Sequence, residues 1–70
     1  MEFAELKRRC KSLWVQQYDA YYACKKAFGV SDKDTKMEAN NLFVIEDTIR
    51  EITGGLISDS DFEKWEAELK

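Results

Sequence analysis

Four groups of residues in this chain carry atoms that could do chemistry. They are two thiols, Cys10 and Cys24; two carboxylate runs, Asp32-Lys33-Asp34 and Asp59-Ser60-Asp61-Phe62-Glu63; a basic cluster, Lys7-Arg8-Arg9-Lys11; and the stretch WVQQYDAYYACKKAF, residues 14–28, with five aromatic side chains. A thiol can serve as nucleophile or metal ligand, and clustered carboxylates can hold a proton or a calcium ion. Grouped cations bind phosphate, and aromatics stack on a ligand or anchor a partner.

The catalytic and metal readings meet chemical obstacles. The chain has no histidine, which removes the usual general base and the commonest transition-metal ligand. Each cysteine falls on an apolar helical face without an obvious activating partner. Two widely separated cysteines without histidine do not make a structural zinc site. A calcium loop needs alternating oxygen ligands around a glycine turn, and neither carboxylate run has that glycine or the distal glutamate. There is no glycine-rich phosphate loop. The sequence therefore reads as a non-enzyme, with no catalytic, cofactor-binding or metal residue, no cofactor and no small-molecule substrate.

The elements that position these side chains read as helices throughout. The chain lacks proline, and its only glycines are Gly29 and the pair Gly54-Gly55. Those breaks leave three segments with helical periodicity and none with strand alternation. The expectation is an all-α, single-domain three-helix bundle over residues 1–70, with a long helix over 2–27, a medium one over 36–53 and a short one over 59–69. On helix one, Phe3, Leu6, Cys10, Leu13, Trp14, Tyr21, Cys24 and Phe28 fall within an arc of roughly 100° and form the expected core face. Gly29 ends that helix, with Val30 placed for an apolar contact across the cap. Thr35 with Glu38 fits a capping box for helix two, whose expected buried stripe is Met37, Val44, Ile45, Thr48, Ile49 and Ile52. Ser58 is the expected N-cap of helix three, with Asp61 three residues on and Ile57 stapling onto Phe62. Phe62, Trp65 and Leu69 give helix three one apolar face. At ~1.5 Å per residue the two cysteines lie about 21 Å apart along helix one, too far for a disulfide.

Composition narrows the setting. With 44% hydrophobic and 36% charged residues the chain is globular in character. No apolar run approaches the ~18 residues of a membrane span, and the N-terminus lacks the order of a signal peptide. A soluble protein of the cytoplasm, with reduced thiols and no membrane association, is expected. Residues 1–36 carry eight Lys/Arg against five Asp/Glu, a balance of +3, while residues 37–70 carry three against nine, a balance of −6. The halves should attract, within one molecule or between molecules.

Partner binding is where the residues point. Val15, Tyr18 and Tyr22 are spaced i, i+3, i+7 and form a second stripe, rotated about 90–100° from the core face. Lys7, Arg8, Lys11, Lys25 and Lys26 border it, giving aromatic anchors inside a charged rim. Either helix three covers this stripe or a partner does. Phe43 lies among polar neighbours on helix two and can join such a surface, as can Trp65. Gln17 points into the core face and needs a hydrogen-bond partner, which Thr48 or Asn41 or a second copy of the chain could supply.

The C-terminal segment GLISDSDFEKWEAELK resembles the SHOCT domain, a short C-terminal helical hairpin, through Gly55, Leu56, Ile57, Ser58, Asp61, Phe62, Glu63 and Leu69. The likeness covers these sixteen residues well and the last ~30 loosely. Trp65 stands where the family usually has a basic residue, and Ile49 and Ile52 replace its leucine pattern. The resemblance implies a protein- or oligomer-interaction role.

The sequence thus reads as a small helical protein–protein interaction module, possible homo-oligomer included, with Lys11, Val15, Tyr18, Tyr22, Lys25, Lys26 and Phe43 as candidate partner-binding residues. Two alternatives stand beside it: a nucleic-acid-binding regulator using the basic side of helix one, disfavoured by the acidic net charge of −3, and a small inhibitor docking onto a larger enzyme.

Overall fold

Three helices connected by short turns make up a computed structural model that describes residues 2–69. Helix α1 spans Phe3–Phe28, α2 Lys33–Ile52 and α3 Asp59–Leu69, an all-α three-helix bundle. The turns follow from particular residues. Gly29 stops α1 at φ +89°, a region open to glycine, and its N–H donates to the Lys25 carbonyl at 2.9 Å. At the end of α2, Gly55 N–H reaches the Arg50 carbonyl and Gly54 N–H the Glu51 carbonyl, the paired bonds of a Schellman cap. Helix α3 opens at Ser58, whose backbone N–H donates to Asp61 Oδ2 at 3.1 Å, the returning arm of the expected capping box.

The start of α2 differs from the sequence expectation. Asp32 is the N-cap, accepting from the Asp34 N–H at 2.9 Å, and the helix begins at Lys33. Thr35 is the third residue of the helix, within its first turn, and is 1% exposed, with no hydrogen-bond partner for its hydroxyl among the described residues.

Helices α1 and α2 pack antiparallel along their lengths. Gln17 Nε2 donates to both the backbone carbonyl and Oε2 of Glu38, at 3.0 and 2.8 Å, so the half-buried amide finds its partner on α2, though at Glu38 rather than Thr48 or Asn41. Helix α3 runs in the direction of α1, fixed by Lys7 with Asp61 at 3.2 Å and Lys11 with Glu68 at 2.6 Å. Both pairs join the basic first half to the acidic second half. Arg50 ties α3 to α2, bonded to Asp59 at 2.6 Å and to Asp47, with its guanidinium over the Phe62 ring.

The core comprises Cys10, Trp14, Leu42, Ile49, Ile57, Phe62 and Trp65, with Leu6, Val15, Tyr18 and Ile45 packed partly buried against it. Several expected core residues lie outside. Phe3, Leu13 and Phe28 on α1 and Met37, Val44, Thr48 and Ile52 on α2 are exposed, Tyr21 and Cys24 are half-buried, and Val30 makes no buried cap contact. Length is one cause. The 26 residues of α1 match the longest dimension of the molecule, 39 Å, whereas the 11 residues of α3 reach only about 16 Å. The ends of α1 therefore have nothing to cover them. The other cause is on α2, where the buried line is Thr35, Leu42, Ile49 and Thr53. Two threonines weaken that line in the sequence, so the more apolar exposed line beside it was the one expected inside.

Candidate interaction surfaces

Three surfaces follow from this packing. The first is a row of rings on α1 at four-residue steps, one per turn. Trp14 stacks on Tyr18 with centroids 5.0 Å apart, Tyr18 stacks on Tyr22 at 6.2 Å, and Lys26 Nζ sits 5.4 Å from the Tyr22 ring centre. The row passes from the core out to solvent: Trp14 is 1% exposed, Tyr18 half-buried and Tyr22 45% exposed. Leu69 at the end of α3 joins Tyr18, Asp19 and Tyr22 around a notch of about 350 Å³. The end of α3 thus reaches the Tyr18–Tyr22 part of the stripe through Leu69 and leaves Tyr22 45% exposed.

The second surface is a groove of about 350 Å³ between α2 and α3, with Trp14 at its base and Phe43, Glu46, Phe62 and Glu66 on its walls. Phe43 is 62% exposed. It lines this groove and does not join Tyr18 and Tyr22. Among the cations, Lys11 is committed to Glu68, Lys26 to the face of Tyr22, and Lys25 is exposed near the end of α1. Arg8 and Arg9 both approach Glu5, at 4.0 and 3.1 Å.

The third surface is the side of α2 turned away from α3. Met37, Asn41, Val44, Ile45, Thr48 and Ile52 fall within an arc of about 100°; Met37, Val44 and Ile52 are more than half exposed and Ile45 is half-buried. Sequence reasoning missed this surface because it assigned the stripe to the core. The available signal was an excess: α2 has more apolar positions than one buried line can use.

The thiols are free, Cys10 buried and Cys24 half-buried. Burial pushes the Cys10 thiol above its ordinary value. Desolvation, then Glu38, Asp34 and Asp32, do the same for Cys24. Both are therefore poor thiolate sources at neutral pH. Among the described residues no group of three His, Cys, Asp or Glu side chains is placed to hold a metal ion, and no helix is long and apolar enough to cross a membrane.

No protein-family model, curated protein or solved structure matches the chain.

Proposed function

We propose that this chain is a small, non-enzymatic helical interaction module that acts by binding another protein or a second copy of itself. One observation carries the reading: among the described residues eleven large apolar side chains are at least 42% exposed, against seven hydrophobic residues in the core. Scattered exposed apolar residues are ordinary, but six of these gather beside grooves (Tyr22, Phe43, Leu69) or on one helix face (Met37, Val44, Ile52), which is how protein-binding surfaces are built. The likeness of residues 55–70 to the SHOCT hairpin supports the same role, and two unactivated thiols fit a reducing compartment such as the cytoplasm. An inhibitor that docks onto a larger enzyme is one form of this reading. Nucleic-acid binding has less behind it, because Lys7 and Lys11 are paired with Asp61 and Glu68 and Arg9 with Glu5.

Affinity capture from the cells that express the protein tests the reading, with wild type compared against Tyr22→Glu, Phe43→Glu and Val44→Glu. A protein, self included, that wild type retains stoichiometrically and one of these variants loses supports it. Retention of nothing beyond background sinks it, as does retention of nucleic acid alone.

A further inference from the structure

Resting on that interaction reading, we propose a specific occupant for the exposed face of α2: the same face of a second copy, paired antiparallel about a two-fold axis between Val44 and Ile45. The stripe is symmetric about that point. Val44 and Ile45 flank it, Asn41 and Thr48 lie equally far on either side, and Met37 and Ile52 lie equally far beyond them. Read from either end, the order is apolar, polar, apolar, which an isologous interface requires, since residue i meets j and j meets i. Two-fold pairing places Met37 level with Ile52 of the second copy and Asn41 against its Thr48, while at the axis itself Val44 meets the other Val44 and Ile45 the other Ile45.

The polar pair is complementary as well as symmetric. The Thr48 hydroxyl already donates to the Val44 carbonyl at 2.8 Å, which leaves its oxygen free to accept. Asn41 is exposed and its amide supplies two N–H donors. Each copy therefore donates one Asn41 N–H to the other's Thr48 Oγ1, so neither polar side chain is buried without a partner.

Charge agrees with the same orientation. The solvent-side border of the stripe carries Lys33 and Lys36 near the N-terminus of α2 and Asp47 and Glu51 near its C-terminus, all exposed. Antiparallel pairing sets cations against carboxylates at both ends and opposes the helix dipoles; parallel pairing would set like against like. The surface area agrees too. A monomer of 8.2 kDa ordinarily exposes about 4,500 Å², and this chain exposes 4971 Å². The stripe from Met37 to Ile52 is about 22 Å long, so the contact is a small one and the dimer a weak, concentration-dependent one.

Sedimentation equilibrium of the full chain from about 5 μM to about 500 μM tests this. Wild type should pass from monomer to dimer over that range. Val44→Glu should weaken the dimer by about tenfold or more, and the uncharged Val44→Asn should weaken it in the same direction; circular dichroism checks that each variant is folded. Tyr22→Ser and Phe43→Ser should dimerise as wild type does. Orientation is read by cross-linking in a Cys24→Ser background: a mixture of Met37→Cys and Ile52→Cys chains should cross-link, and neither alone should. A wild type monomeric throughout overturns the proposal, and so does a dimer that survives both Val44 changes, is lost on Tyr22→Ser, or cross-links Met37→Cys to itself. A monomeric wild type that still captures another protein would leave the interaction reading standing without this occupant.

Discussion

The indole N–H of Trp14, on a side chain 1% exposed, donates to Oε2 of Glu46 at 2.8 Å. This bond joins the most buried ring of α1 to α2 at the point where the groove beside Phe43 opens. The indole is donor-only, so removing its acceptor leaves a buried N–H unsatisfied. Glu46→Leu should cost about 1–3 kcal/mol, whereas Glu46→Gln, whose amide oxygen still accepts, should cost about 1 kcal/mol or less. Urea unfolding of the three proteins checks this; equal losses for Leu and Gln would mean that the bond contributes nothing beyond packing.

Thr35 is the converse case. Its hydroxyl is buried and has no partner among the described residues, and a buried unsatisfied polar group costs about 1–3 kcal/mol. Thr35→Val keeps the shape and removes the hydroxyl, so it should stabilise the chain by about 1 kcal/mol. For a domain of this size that is a rise of about 4–8 °C in Tm. Calorimetry decides it; an unchanged or lower Tm would show that the hydroxyl is satisfied in solution.

These two residues also show what could be read from the sequence. The helix ends were legible where a single residue type dictates them, as at Gly29, Gly54-Gly55 and Ser58. The start of α2 was not, because SDKDTKME offers two overlapping caps and the tertiary fold chose Asp32, placing Thr35 in the core. The ring row through Tyr18 and Tyr22 was visible in its spacing. The partner of Lys11 was not, since Glu68 lies 57 positions away and only the docking of α3 brings them together. The side of α2 that faces α1 was misjudged because hydropathy alone cannot say which of two apolar lines a two-helix contact will bury.

Asp61 should make the chain acid-sensitive. The Ser58 N–H, then Lys7, hold its carboxyl below the ordinary carboxylate value. The folded state therefore binds this proton more weakly than the unfolded state does. Its contribution is fully present above the unfolded value of about 3.9 and is lost as pH falls through the lower folded value. Asp61→Ala should cost about 1 kcal/mol near neutral pH through the lost cap, and the difference from wild type should shrink as the pH is taken below about 4. Urea midpoints measured against pH for both proteins test the sign; a gap that widened in acid would refute it.

The two thiols should label in a fixed order. Cys24 is half-buried and opposed by Glu38, Asp34 and Asp32, and Cys10 is buried in the core. A disulfide reagent near neutral pH should modify Cys24 slowly and Cys10 only on unfolding. Glu38→Gln keeps an acceptor for Gln17 while removing one of the three opposing charges, so Cys24 labelling should quicken by about twofold. Rapid labelling of both thiols in the native chain would contradict the burial of Cys10.

Helix α3 depends on three rings. Trp65 lies 5.8 Å from Trp14 and 5.5 Å from Phe62, centre to centre, and Phe62 stacks on Trp14 at 6.3 Å. Eleven residues do not hold as a helix alone in water, so α3 exists only while this cluster holds it. Its ion pairs, Lys7–Asp61 and Lys11–Glu68, are partly exposed and worth about 0.2–1 kcal/mol each. Trp65→Ala should cost about 3–5 kcal/mol, against a total stability of about 4–10 kcal/mol for a chain of this length. The expected result is a protein with a broad, weakly cooperative melt and lost near-ultraviolet circular dichroism, while Lys11→Ala, which removes only the α1 partner of Glu68, melts within a few degrees of wild type. If Trp65→Ala kept a sharp transition near the wild-type Tm, α3 would have to be held by something other than its rings.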